Sequence, residues 1–293
     1  MSSLLKIWSN MEINFIYILF LSTIGFIISF IGGMVGLVLG VIRLPFILST
    51  GLNVTNSIGT NIGVSTLGAI TAAIQHIRNK NMSFTIFIIM ALTGAIGAFY
   101  GASLTKNIPI NFLLILVGLI ISYESFTLLK DDTNRNNKIN NKNTNDKKIT
   151  ENRLKLNQNS IKQKNPYYDI LVQSIIGFLI GILGGLVGLV LGSIRLPAII
   201  KILKTEPKIA VGTNMLISSV MGMSGFIGHL INNEINLFYL IILGPSAMFG
   251  GFLGAKYTNR ISPSTLKRLI GIVLAIVAIT IFISQIIELK FFA

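Results

Sequence analysis

Apolar residues fill long continuous blocks, and polar residues fall almost entirely between them. The blocks lie at roughly 13–49, 54–77, 83–105 and 109–129, and again at 168–200, 207–231, 236–257 and 264–287. A helix needs ~20 apolar residues to cross a bilayer core, so this spacing predicts an all-α, polytopic membrane protein. A membrane β-barrel would show alternating segments of ~10 residues, and these blocks do not alternate. Ahead of them, Met1 to Glu12 is a short polar start whose Trp8 suits an interfacial anchor. The apolar run after it is too long for a signal-peptide core and lacks a small-residue cleavage pattern, which predicts a retained segment.

The pattern breaks once, between Lys130 and Asn165. This stretch is rich in Asn and Lys and nearly free of aromatic residues. It cannot bury enough apolar surface to offset the entropy of ordering, so it predicts a disordered basic linker. The expected organisation is a membrane repeat at 1–130, the linker at 131–166 and a second membrane repeat at 167–293.

The two sides of the linker are homologous. Ile24 to Leu48 returns at Ile176 to Ile200 with 17 of 25 positions identical, including a Gly-Gly pair, a Gly-Leu-Val-Leu-Gly run and an Arg-Leu-Pro exit. With one further residue of shift, Gly59-Thr60-Asn61 pairs with Gly212-Thr213-Asn214, His76 with His229, and Gly97, Gly101 and Ala102 with Gly250, Gly254 and Ala255. Pro109 and Pro263 each open the last block of a half. The first block of each half is the odd one. About 36 residues of helix would extend ~54 Å against a ~30 Å core, and the Gly-Gly near its middle predicts a break. If each broken block enters and leaves on one side, each half crosses the membrane an odd number of times and the halves are inverted repeats. With the linker in the cytoplasm, Arg78 and Lys80 then lie inside, as do Lys201, Lys204, Lys208, Lys256, Arg260, Lys267 and Arg268. The loops with Lys106 and with Glu234 lie outside. Every strongly basic loop is then cytoplasmic, as the positive-inside rule requires.

Composition agrees and narrows the function. The chain is 52% hydrophobic and 12% charged, with a mean hydropathy of +0.75; a soluble domain carries about 25% charge. The net charge of +14 sits in loops and linker, where anionic headgroups rather than nucleic acid are the natural partner. There is no cysteine, so disulfides, thiolate metal sites and thiol redox chemistry are excluded. No nucleophile–base set, catalytic carboxylate pair or metal-ligand spacing stands out, so neither an enzyme nor a cofactor or metal centre is expected. The expected place is the cell membrane, with multiple crossings.

Candidate chemistry concentrates in the repeated stretch. Gly36 and Gly40 precede Arg43-Leu44-Pro45, and Gly188 and Gly192 precede Arg195-Leu196-Pro197. Such glycines serve close helix packing or a broken helix whose freed N–H groups line an anion site. Arg43 and Arg195 lie in otherwise uncharged surroundings, where a guanidinium costs ~2.5–3.5 kcal/mol on insertion scales. They either reach for headgroups or converge on a small oxyanion, whose geometry the planar fork matches. Thr60, Asn61, Thr213 and Asn214 can complete such a cage, or act as polar glue between helices. Ser57, Ser65, Thr66, Ser218 and Ser219 add polar character nearby. His76 and His229 close their helices, where a structural role outweighs a proton or gating role. Glu124 is the one acid well inside an apolar block.

The paired motifs resemble the sulfite exporter TauE/SafE family of membrane permeases. The resemblance is carried by Gly36 to Pro45, Gly188 to Pro197, Ala210-Val211-Gly212-Thr213-Asn214, Gly94 to Ala102 and Gly250 to Ala255. It covers roughly 14–129 and 168–287. Two positions before the proline the family is usually apolar, whereas this chain has arginine in both halves. The resemblance implies a permease, working as an exporter, for small anions such as sulfite or organosulfonates. Alternating access between the two halves would place substrate between the Gly-rich segments. A coupling proton or sodium ion is a candidate partner. Two other readings remain at this point: a membrane scaffold or assembly protein that docks through its basic linker, and an anion channel.

Overall fold

The computed structural model describes residues 2–104, 115, 117–130, 166–187 and 191–292. The linker at 131–165, Lys106, Pro109 and Gly188 lie outside them. The described residues are helical, without strands. The first half holds α1 (Ser2–Val35), a short α2 (Gly40–Leu48), α3 (Val54–Arg78), α4 (Phe84–Leu104) and α5 (117–130). The second holds α6 (Pro166–Val187), a short α7 (Gly192–Lys201), α8 (Pro207–Ile231), α9 (Leu237–Thr258) and α10 (Pro263–Phe292). Among the described residues, seven helices are long and apolar enough to cross a membrane: α1, α3, α4, α6, α8, α9 and α10.

The spans sort by their polar content. In α3 and α8, 78% and 67% of the spanning window is buried, against 33–44% in the other five. These two carry Ser57, Thr60, Asn61, Ser65, His76 and their counterparts Thr213, Asn214, Ser218 and His229, all buried. Polar groups inside a bilayer must find protein partners, so the two most polar spans take the centre. The outer spans turn large apolar side chains outward, such as Leu92 and Ile96 of α4 and Ile241 and Phe249 of α9.

Contact registers give the helix directions. Gly25 faces Ser246, Phe30 faces Gly250, and Thr258 Oγ1 donates to the Met34 carbonyl, so α1 and α9 run parallel. Gly63, Gly68 and Thr71 of α3 meet Leu240, Ala247 and Met248 of α9 in the same rising order. On the other side, α4 runs parallel to α6 (Met90 with Gly177, Gly101 with Ile182) and to α8 (Met221 with Gly94, Gly228 with Ala102). Across the centre the order reverses: Gly59 meets His229, Gly225 meets Ile62 and Gly212 meets His76, so α3 and α8 are antiparallel. The first span of each half therefore packs against the third span of the other half. These approaches are backbone-close because glycine permits it.

One expectation about the first block needs correction. The break does not fall at Gly32-Gly33; α1 continues through that pair to Val35. Gly33 is instead a packing contact against Gly251. The helix stops because Gly36 takes a left-handed φ of +75° and Leu37 N–H reaches back to the Gly32 carbonyl at 2.8 Å, the Schellman form of helix ending. Residues 36–39 then lead to α2, and by Ser49 the chain is again beside the start of the spanning part of α1 (Ile16–Val35), with Tyr17 Oη and Ser49 Oγ 2.8 Å apart. The segment is a hairpin of one full span and one broken return limb. Consecutive spans α1 and α3 consequently run in the same direction. α1 extends back through the polar start to Ser2.

Glycine at the helix contacts makes a sharp prediction. A Cβ added at Gly251 would stand 2.5 Å from the Gly68 carbonyl oxygen. Overpacking of this kind costs roughly 1–3 kcal/mol or more. Gly251→Val is expected to lower the thermal midpoint in detergent and to broaden the size-exclusion peak. Ile241→Val, on an exposed face, should leave both unchanged.

Candidate functional site

Both arginines sit on the short helices that follow the break, and both are inside the protein. Arg43 on α2 is 3% exposed and Arg195 on α7 is 0% exposed. Neither guanidinium reaches toward headgroups. Each is held by the central helix of its own half. Arg43 Nε donates to Asn61 Oδ1 at 3.0 Å, and its Nη2 donates to the Asn61 carbonyl and to Ser65 Oγ. Arg195 repeats this: Nε donates to Asn214 Oδ1 at 2.7 Å, and Nη2 to the Asn214 carbonyl at 3.2 Å and to Ser218 Oγ at 2.6 Å. In addition, Arg195 Nη1 meets Met221 Sδ at 2.7 Å.

The asparagines serve two masters. While Oδ1 accepts from the arginine, Nδ2 donates to backbone carbonyls at the breaks. Asn61 Nδ2 donates to Gly40 O at 3.1 Å. Asn214 Nδ2 donates to Gly192 O at 3.1 Å and, across the halves, to Gly36 O at 2.6 Å. Gly36, Gly40 and Gly192 are thus brought together with Arg43, Arg195, Asn61 and Asn214. Gly36 must remain glycine for a second reason, because a Cβ there would stand 2.7 Å from Val211 Cα on α8. An interior helix start such as that of α2 or α7 also presents the positive end of its dipole. Neither has a side-chain cap.

Thr60 and Thr213 do not join this arrangement. Thr60 Oγ1 accepts from Asn236 N at 2.9 Å and Thr213 Oγ1 from Ser83 N at 2.8 Å. Each threonine fixes the turn before a span of the opposite half. The arginines' hydroxyl partners are Ser65 and Ser218, four residues beyond each asparagine. That i, i+4 repetition on one helix face was the available signal.

The two histidines are also buried and equivalent in part. His76 Nε2 lies 3.1 Å from Gly33 O and His229 Nε2 lies 3.2 Å from Gly185 O. Among the described residues only His229 has an acidic neighbour, with Nδ1 at 2.6 Å from Glu234 Oε2. Glu124 on α5 pairs with Lys201 of α7 at 2.7 Å, which clasps the end of the return limb. Among the described residues no carboxylate lies within ion-pair distance of Arg43 or Arg195, and no group of acids and histidines could hold a metal.

The asparagine bridges carry a testable load. Asn214→Ala removes the acceptor of a buried guanidinium and two bonds to backbone carbonyls. Hydrogen bonds to charged groups contribute about 1.5–3 kcal/mol each, so a loss of about 3 kcal/mol is expected in denaturation of the purified protein. A change below about 0.5 kcal/mol, the scale of a neutral surface substitution, would contradict the bridging role.

Comparison with known proteins agrees with this architecture. A family model described as sulfite exporter TauE/SafE matches residues 21–281. The chain is 27% identical over 266 residues to "Probable membrane transporter protein YunE" of Bacillus subtilis (strain 168), covering 88% of this chain and 94% of that protein. It is 25% identical over 260 residues to "Probable membrane transporter protein YdhB" of the same organism, covering 88% and 96%. A "Probable membrane transporter protein" of Xylella fastidiosa (strain Temecula1 / ATCC 700964) is 24% identical over 260 residues, covering 85% and 91%. No solved structure matches the chain.

Proposed function

The chain belongs to the sulfite exporter TauE/SafE family and is a multi-pass membrane transporter rather than an enzyme, and from that premise we propose that it moves small oxyanions such as sulfite or organosulfonates. One observation carries the substrate charge. Two guanidiniums are buried in the spanning region, and among the described residues neither has a carboxylate partner. Buried charges are ordinarily paired, so a small anion is the natural missing partner. Guanidinium forks, uncapped helix starts and hydroxyls supply the donors an oxyanion needs.

The mechanism we propose is alternating access between two inverted halves. The antiparallel run of α3 and α8 supports it, as do the parallel runs of α1 with α9 and of α6 with α4. The basic turns also gather at one end. Asn79 Nδ2 reaches Ala255 O, Asn81 Nδ2 reaches Asn259 Oδ1, and Lys208 Nζ reaches Asn259 O. The turn with Glu234 meets Gly59 and Thr60 at the opposite end. Movement of one half against the other would have to break the Asn214 to Gly36 bond. A coupling proton or sodium ion belongs to the same proposal. Normal flux with residues 134–160 deleted is expected from a transporter and not from a scaffold.

Two measurements test this reading. Proteoliposomes containing the purified protein should take up sulfite or methanesulfonate saturably, and Arg43→Ala should reduce uptake at least ten-fold without loss of the folded protein. Absence of uptake of every small oxyanion by the unaltered protein would remove the reading. For the topology, a single cysteine at position 204 (Lys204→Cys) should be labelled by an impermeant thiol reagent only from the cytoplasmic side. Labelling from outside would refute the inverted arrangement.

A further inference from the structure

The two arginine cradles look alike and are not. Asn61 and Ser65 correspond to Asn214 and Ser218, and the same offset places Gly68 opposite Met221. In the second half, the Met221 sulfur stands against Arg195 Nη1 at 2.7 Å. In the first half there is no side chain at Gly68, and among the described residues Arg43 Nη1 has no acceptor. The space left open is a cavity of about 20 Å³ where Arg43, Ser29 and Ser65 stand beside Gly33 and Gly68 in an otherwise apolar lining. That is room for one water-sized group.

A second position changes in the same sense. Ser29 on α1 lines the cavity beside Arg43, while its counterpart in α6 is Gly181. The corresponding cavity in the second half, about 10 Å³, is lined by Ile62, Ala98, Gly181, Gly185, Leu191 and Met221, with no arginine and no hydroxyl among the described residues. One pocket therefore offers a guanidinium and two hydroxyls to a guest. Its twin offers only apolar groups and glycine backbone, and its guanidinium is already occupied by sulfur.

We propose that the transported anion binds in the Arg43 pocket alone. An –SO3 head would place one oxygen in the cavity, against Arg43 Nη1 and the Ser29 and Ser65 hydroxyls. Ser65 accepts from Arg43 Nη2 and keeps its own hydrogen to donate. Arg195 acts as the structural counterpart, locked by Asn214, Ser218 and Met221. This assignment rests on the anion-transport reading above, and it says which half carries the charge site.

The test exchanges the distinguishing residues in the full-length protein and measures sulfite and methanesulfonate binding by calorimetry, with proteoliposome uptake alongside. Gly68→Met, which installs the second half's plug, should weaken binding at least ten-fold. Its Cβ would come within 3.1 Å of Ala247 O, so the melting temperature without anion is recorded as a folding control. Ser29→Gly adds no volume and should weaken binding several-fold on its own. Met221→Leu, in the second half, should leave the dissociation constant within two-fold. Binding of both anions identifies the shared head as the ligand, and binding of sulfite alone identifies the free inorganic ion; either supports the assignment. Wild-type affinity in both first-half variants, or equal weakening by Met221→Leu, overturns it while leaving anion transport standing. If neither anion is bound or moved by the unaltered protein, the transport reading and the assignment fall together.

Discussion

A guanidinium inside a bilayer has to be solvated by protein, and most of the polar structure of this chain follows from doing so twice. The asparagine is the centre of each arrangement. Its carbonyl oxygen holds the arginine, and its amide nitrogen holds the backbone of a broken helix. Either need alone could be met in other ways. Meeting both with one side chain links the charge to the break, so the position of Arg43 or Arg195 depends on where the return limb begins. The glycines belong to the same constraint. Gly36 ends α1 by its left-handed turn and lets Val211 approach, which puts its carbonyl within reach of Asn214.

Around this centre the packing is an exchange between halves. The first span of each half lies along the third span of the other, and the central helices cross antiparallel. Thr60 and Thr213 extend the exchange to the turns, each capping a chain segment from the opposite half. The histidines attach the C-terminal end of each central helix to the first span of its own half at Gly33 and Gly185. Small residues at these contacts let the helices touch through backbone.

Much of this was legible in the sequence. Block length predicted helical spans, and the duplicated Arg-Leu-Pro exits marked the charges. Other features were hidden for physical reasons. A Gly-Gly pair reads as a break when it is isolated, but here Gly33 is held in helix by packing against Gly251. The true end needed a left-handed residue at Gly36 and a bond from the next residue, Leu37 N–H, to a carbonyl five residues back, a geometry that no composition reveals. Thr60 beside Asn61 looked like one site, yet adjacent helical residues point about 100° apart, so one faces the arginine and the other a turn. The partner at i+4, Ser65 or Ser218, shares the asparagine's face. The contrast between Gly68 and Met221 lay in the aligned halves and acquired meaning only when the sulfur was found against Arg195.

The exchanged packing also bears on how such a chain is made. α1 leaves the ribosome early, and its partner α9 is synthesised near the end. During that interval the face of α1 that later meets α9 has only lipid to lie against, and its mean hydropathy of 2.3 is among the higher values, with 2.4 for α6 and α10. The central helices α3 and α8 have 1.3 each. Their asparagines, serines and histidines are poorly suited to lipid without one another. Insertion would thus begin with spans that are stable singly, and the polar pair would be sealed last, when the second half arrives to enclose the first.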